Sequence, residues 1–362
     1  FVMKVCIIGD GLVSLTLANV LIQKQLSVDI LLNKKDNKYD KTRTLGISKS
    51  NIDYFNNNII NIEKVLWKIK KIKIYTEKNS DQEILNFSNN DEQIFSIIRN
   101  YELNKLLKKN LIQSKLIKFK NISSIQNIDL QKYKLIINCN SKNVISKKFF
   151  SNAIVKDYNS YAYTTIINHK KVINNNIAFQ NFTNNGPVAF LPISNTQTSV
   201  VYSFKSKDKK NFLHIKNLIN KYNPKYSITK INKLSCFKLR SSNLRKYYKD
   251  NILAFGDLLH KIHPLAGQGF NMSLRDIKLL SDIVDEKINL GLDIDSSICR
   301  EFQKNSQDKN YLFSTGIDWI YEIFNIESKI KSNLLNNSIN MLGNNKIVNS
   351  FFKKFADKGL RI

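Results

Sequence analysis

Apolar and polar positions divide this chain into stretches with different periods. Near the start, Lys4 to Ile8 form an apolar run, a glycine-bearing turn follows, and Leu15, Ala18 and Ile22 recur at helical spacing before a second run at Val28 to Leu32. Strand, turn, helix and strand in that order predict a βαβ unit. Further on, Tyr161 to His169, Asn176 to Thr183, Gly186 to Ser194 and Thr198 to Phe204 are β-rich and separated by Asn, Gly and polar turns. Val200, Tyr202 and Phe204 alternate with Ser199, Val201 and Ser203, the period of a half-buried strand. An antiparallel sheet inserted into the surrounding α/β domain is expected there.

Late in the chain the run Ile252 to Phe255 ends in Gly256-Asp257, passes Pro264, Gly267 and Gly269, and opens an amphipathic helix marked by Phe270, Leu274, Ile277 and Leu280. After about Leu290 the pattern is helical again, through Tyr311 to Phe324 and Ile330 to Ala356. No internal repeat is evident.

The two glycine-bearing turns carry the chemistry. A βαβ turn of the form Gly9-Asp10-Gly11 suits a pyrophosphate, because unpaired N–H groups and the positive dipole end meet at the helix start. In the late segment the Asp257 carboxylate can accept hydrogen bonds from sugar-like hydroxyls, and Gly267 and Gly269 allow the backbone to approach a flat ring. The amides of Gly269, Phe270 and Asn271 sit where a helix begins, and they favour the negative charge that an isoalloxazine gains on reduction. If the ligand is a flavin, the two ends of the chain are expected to fold around it together.

Four blocks then extend the pattern: GDGLVSLTLA from Gly9, TRTLGIS from Thr42, GPVAFLPIS from Gly186 and GDLLHKIHPLAGQGFNMSLRD from Gly256. In order and rough spacing they resemble the FAD-dependent aromatic hydroxylases, single-component flavoprotein monooxygenases, and within them the ubiquinone-biosynthesis hydroxylases. The resemblance implies an α/β fold: a Rossmann-like FAD-binding domain over 1–155 and 248–292, an inserted antiparallel β-sheet substrate domain over 156–247, and a C-terminal helical segment over 293–362. It implies FAD as cofactor, NADPH or NADH as transient electron donor, and hydroxylation of a polyprenylated, lipophilic phenol with O2. The alternative is a non-catalytic flavin-fold scaffold subunit of a biosynthetic complex.

Site roles follow residue by residue from the same resemblance. Gly9 and Gly11 would lie under the pyrophosphate, Arg43 near the pyrophosphate and the nicotinamide, and Asn100 beside the ribityl chain. Asp257 would hold ribityl hydroxyls, Pro264, Gly267, Gly269 and Asn271 would line the ring, and Gly256 and Phe270 also belong to the expected cofactor-binding set. His263 is the candidate for proton transfer, against a positional role in its His-Pro step. Three positions depart from the family: Ser14 replaces the third glycine, Asn33 the acidic residue after the second strand, and Asn140-Ser141 an Asp-Gly motif implicated in FAD and nicotinamide binding. Drift in a chain rich in Asn, Lys and Ile accounts for them, since the whole ring-side block from Gly256 to Asp276 is kept.

Composition adds limits. The 362 residues allow two or three domains, and no apolar run in this 42% hydrophobic chain approaches the roughly 18 residues of a membrane span. No leader pattern is expected from the opening residues, and Cys6, Cys139, Cys236 and Cys299 have no metal-ligand spacing, so a cytoplasmic protein with reduced cysteines is expected. The net charge of +28, from 57 basic and 29 acidic residues, would draw the chain to anionic surfaces. No nucleic-acid motif accompanies it, so no nucleic acid is expected as a partner. An anionic membrane surface, on its inner face, and other biosynthetic subunits are the partners left. Ile347, Val348, Phe351, Phe352 and Phe355 beside Lys346, Lys353, Lys354 and Lys358 suit either core packing or such a surface.

Overall fold

The computed structural model describes residues 4–33, 41–77, 85–88, 93–122, 129–263 and 268–327. The apolar runs at both ends of the chain meet in a six-stranded sheet. With elements numbered in chain order, its spatial sequence is β16 (Tyr248–Lys249), β17 (Ile252–Ala254), β9 (Leu135–Asn138), β1 (Lys4–Ile8), β2 (Ser27–Asn33) and β8 (Ile117–Ile122). All neighbours are parallel except β16 and β17. Central strands with helices on their faces are buried on both sides, which is why β1 and β9 read as continuous apolar runs rather than alternating ones. Helix α1 (Leu12–Gln23) packs against α3 (Asn100–Ile112) and α6 (Gln268–Asn289).

A nine-stranded sheet forms the second layer. Its order is β18 (His260–Lys261), β15 (Ser235–Leu244), β10 (Ala153–His169), β13 (Gln197–Lys205), β12 (Gly186–Pro192), β11 (Ile177–Thr183), β5 (Lys71–Thr76) and β6 (Leu85–Ser88), with β14 (Ile228–Ile231) added beside β10. Pairing is antiparallel except between β11 and β5. Strands β5 and β6 come from before the β-rich stretch and β18 from after it, so this sheet draws chain from both sides of the expected insertion. A small third sheet, β3 (Thr44–Ser48), β7 (Phe95–Arg99) and β4 (Trp67–Ile69), lies between the two. Helices α2 (Lys49–Asn58), α4 (Val144–Phe149), α5 (Phe212–Lys221) and α7 (Ser296–Glu327) complete the described fold.

Alternation along β13 sorts side chains as the pattern predicts, with one difference. Val200, Tyr202 and Phe204 join Tyr163, Ile167 and Phe190 in a core closed by Ile215 and Ile219 of α5. The opposite face is covered too: Ile166 and Leu191 pack with Ile69 and Ile97 of the small sheet, and Ser199 is only 1% exposed. A period of two marks two environments, and here the second is a mixed polar and apolar interface with the small sheet rather than solvent.

Helix α7 contains the aromatic stretch read as helical and buries Phe302, Phe313, Ile317 and Tyr321. The apolar and basic pattern from Ile330 to Ala356, with its surface-binding alternative, lies outside the described residues. Among the described residues no helix is long and apolar enough to cross a membrane.

Candidate functional site

Register aligns the ends of three parallel strands. Ile8 lies beside Asn138, and Asn138 beside Ala254, so the residues that follow β1, β9 and β17 emerge at one edge of the sheet. Ligands of open α/β sheets bind in the crevice outside the carboxyl ends of such strands. The turn after β1 places Gly9 at φ +115°, a conformation that L side chains rarely adopt, and a side chain there would lie 3.4 Å from Ser14 Oγ and 3.7 Å from Asn140 Cβ. Ser14, in the third-glycine position, is therefore buried beneath the turn, and Asn140 flanks it.

Gly256 after β17 has φ +60°, and a methyl group on it would stand 3.1 Å from Val13 Cγ1 in the first turn of α1. The glycine turns from the two ends of the chain are thus in contact. Asp257 follows at the surface of the same edge. It is close enough to Cys139 to act on it: burial pushes that thiol up to about 12, and the Asp257 carboxylate adds in the same direction.

Helix α1 begins at Gly11 with no side-chain cap and no acidic residue in its first turn, and a Cβ on Gly11 would meet nothing within 4 Å. Its first N–H groups are open to an anion. Gly269 in the first turn of α6 has the same open space beside it, whereas Phe270 is buried in the core. The open helix start, the glycine cradle and the exposed Asp257 carboxylate at one edge fit a dinucleotide that carries phosphate at one end and sugar-like hydroxyls next to it.

Asn271 is fully engaged. Its Nδ2 donates to the Gly46 carbonyl at 2.9 Å, and its Oδ1 accepts from Ser48 N at 3.0 Å and Asn51 Nδ2 at 2.9 Å. This ties α6 to β3 and α2. Asn100 opens α3, and its N–H donates to the Arg43 carbonyl at 3.1 Å. The Arg43 guanidinium lies 5.7 Å from the Phe237 ring centre, over the large sheet. Asn33 ends β2, and its side chain is not among those described; Pro264 and Gly267 also lie outside the described residues.

His263 is 1% exposed and neither ring nitrogen has a hydrogen-bond partner. Its ring is wedged between Tyr158, edge-on at 4.8 Å, and Tyr321 of α7 at 4.2 Å. Burial, with a lesser push from Lys156, lowers its pKa to about 3. His260 instead bonds Asp276 of α6, whose other oxygen accepts from Asn310 of α7 at 3.0 Å. Among the described residues no cluster of His, Cys, Asp and Glu could hold a metal ion.

Several of these partners carry no sequence signal of their own. Val13, Asn51, Tyr158 and Tyr321 are ordinary helix and strand residues until the fold brings them to the site.

Residues 127–289 match the family of FAD binding domains. The ubiquinone biosynthesis monooxygenase COQ6 of Dictyostelium discoideum is 26% identical over 205 residues, 46% of this chain and 41% of that protein. The 3-demethoxyubiquinol 3-hydroxylase of Escherichia coli (strain K12) is 28% identical over 154 residues, 40% of this chain and 39% of that one. The chain is similar to the FAD-dependent monooxygenases. Matched segments span less than half the length of these relatives. In solved structures the same fold recurs in p-nitrophenol 4-monooxygenase PnpA from Pseudomonas putida DLL-E4, at TM-score 0.79 and 11% identity over 100% of this chain and 99% of that one. Klebsiella pneumoniae HpxO, complexed with FAD and uric acid, follows at TM-score 0.76 and 11% identity over 98% and 97%. The monooxygenase resemblance read from the four sequence blocks and the α/β fold it implied are both borne out.

Proposed function

We propose that this chain is an FAD-dependent monooxygenase that hydroxylates the aromatic ring of a polyprenylated phenol in ubiquinone biosynthesis, taking electrons from NADH or NADPH. The observation that carries the proposal is the contact of Gly256 with Val13 at the aligned ends of β1, β9 and β17, which brings both glycine turns into one crevice. The relatives named for ubiquinone biosynthesis supply the substrate class.

FAD, when bound, supplies hydride acceptance and oxygen activation, so no side-chain nucleophile is needed. In this reading the N–H groups at the start of α1, with Gly9 and Gly11, hold the pyrophosphate. Asp257 accepts from ribityl hydroxyls, Asn100 stands beside them, and Arg43 meets the phosphates and the incoming nicotinamide. Backbone N–H groups at Gly269 and its neighbours take the negative charge of the reduced ring. The inner face of the large sheet keeps water away. His263 packs the loop against Tyr158 and Tyr321 and stays neutral, so proton transfer does not fall to it. A lipophilic substrate and a charge of +28 suit a protein that works at an anionic membrane surface.

A second reading, a flavin-binding scaffold, draws on Asn140. Its Oδ1 accepts from Lys142 N at 2.8 Å in a closed turn where the family has an Asp-Gly motif. One experiment separates the two. Purified protein should carry a flavin spectrum, bleach on anaerobic mixing with NADH or NADPH, and bleach faster with a prenylated phenol present. Bound flavin that is not reduced would favour the scaffold, and protein that takes up no flavin would end both readings.

A further inference from the structure

We propose that the hydroxyl of Thr164 is the polar anchor for the phenolic oxygen of the substrate, an assignment that rests on the hydroxylase reading above. Thr164 lies in β10 opposite Val201 of β13 on one side and Ser235 of β15 on the other, so the three side chains share one face of the large sheet. That face is turned toward β3 and the residues just before it. Ser235 meets Thr42, hydroxyl to hydroxyl, at 3.4 Å, and Ser199, two residues along β13, meets Thr44 at 2.8 Å. Thr164 is flanked by these two satisfied pairs. Its own hydroxyl is buried, the residue being 6% exposed, and it has no hydrogen-bond partner.

A buried hydroxyl left unpaired is unfavourable, and a ligand oxygen that pairs with it removes the penalty. The surroundings specify what carries that oxygen. On the same face Phe237 lies opposite Ala162 and is 38% exposed, an aromatic wall two residues from Ser235. Val201 provides apolar surface on the other side. Further along, β3 offers Gly46 and Ser48 to Asn271, so the strand opposite Thr164 is bonded directly to the first turn of α6, where the ring-side amides lie. Between Val201 and the Phe237 ring, the Thr164 hydroxyl is placed to accept from an aromatic hydroxyl.

The test uses flavin-loaded protein with 2-farnesylphenol and its methyl ether as probes. Binding is read from the change in flavin absorbance, and flavin content and melting temperature are recorded alongside. Thr164→Val should bind the phenol about tenfold more weakly, Thr164→Ser should restore most of the affinity, and the ether, which lacks the donor, should bind variant and wild type alike. KM for the phenol should rise with little change in kcat. Equal phenol binding by wild type and Thr164→Val would overturn the assignment and leave the hydroxylase reading standing, the hydroxyl then facing a water only. Flavin-loaded wild type that binds no phenol would bring down both. If Thr164→Val does not fold, Thr164→Ala with the same pair of probes is read in the same way.

Discussion

Replacing Gly256 by alanine should weaken both the fold and the flavin site, and the structure divides the effect into two parts. The first is conformational: at φ +60° an L residue is disfavoured by roughly 1–2 kcal/mol. The second is crowding, because the added methyl would meet Val13 Cγ1, Cβ and Cγ2 at 3.1, 3.3 and 3.4 Å. Val13 is β-branched and held to one rotamer in its helix, so relief requires α1 itself to shift. Overpacking of this kind costs about 1–3 kcal/mol. The sum predicts a loss of roughly 2–5 kcal/mol in unfolding free energy, measured by denaturant titration of the flavin-free protein. In a Val13→Ala background the Cγ1 and Cγ2 contacts are removed and the Cβ contact at 3.3 Å and the backbone part remain, so the double-mutant cycle should show a coupling of about 1 kcal/mol. Flavin release should be faster in Gly256→Ala and partly restored in the double variant, because α1 carries the N–H groups meant for the pyrophosphate. If Gly256→Ala is equally harmful with and without Val13, contact between the two glycine turns is not what the position requires. Full stability in the single variant would sink both parts of the reasoning.

Three further outcomes follow from the same geometry. Asp29, buried in β2, accepts from Lys120 at 2.5 Å and Tyr133 at 2.6 Å and pairs with Lys4 at 3.0 Å; burial pushes its carboxyl up, but these donors together hold it below the usual range. A folded-state value below the unfolded one means stability that is present above about pH 4 and lost as pH falls toward the folded pKa, and Asp29→Asn should flatten that part of a melting-temperature profile while lowering it at neutral pH. His263 acts in a separate window: neutral down to about pH 3 when folded and protonating near 6.5 when unfolded, it makes the fold less stable as pH falls from about 6.5, so His263→Phe should flatten the profile there and leave the pH dependence of turnover unchanged. Asn271→Ala would strand the Gly46 carbonyl and the Ser48 N–H, and a loss of about 2–4 kcal/mol with weaker flavin retention is expected in unfolding and fluorescence assays, Asn271→Asp recovering only the acceptor side.

Local signals carried more of the backbone plan than of the polar wiring. Periodicity located β1, α1, β2, β17 and α6, because each is either a buried run or an amphipathic helix whose pattern depends on neighbours a few residues away. It also separated the two faces of β13, Val200, Tyr202 and Phe204 from Ser199, Val201 and Ser203. The same period gave no information on what covers Ser199, since a serine meeting Thr44 and a serine meeting water read alike. Nor did it assign β5 and β6 to the large sheet, where the parallel pair with β11 joins residues about a hundred positions apart. At the candidate site, Gly9 and Gly256 were legible because their positive φ leaves glycine in the sequence, and Asp257 as a carboxylate just past a strand end. Asn271 was legible as a position, but not as a brace: three side-chain hydrogen bonds join it to Gly46, Ser48 and Asn51. That brace depends on partners more than two hundred residues away, which no local window contains.

The departure at Asn140-Ser141 has a physical reading in the same terms. Asn138 lies at the end of β9, and its side chain accepts from Asn140 N at 3.2 Å and Asn143 Nδ2 at 2.8 Å while donating to Ser146 Oγ at 2.9 Å. Asn143 in turn caps α4 by accepting from Ser146 N at 2.7 Å. The loop that follows β9 is thus closed by asparagine and serine bonding to one another beside Gly9. Amide side chains donate and accept at once, so a chain enriched in asparagine can rebuild a strand-end turn without an acidic residue. What it cannot rebuild that way is a charge. On the proposed reading, a loop closed on itself would preserve the cradle for pyrophosphate and leave no carboxylate where the nicotinamide would approach, which would make the rate of flavin reduction, rather than flavin affinity, the quantity through which drift at this position is felt.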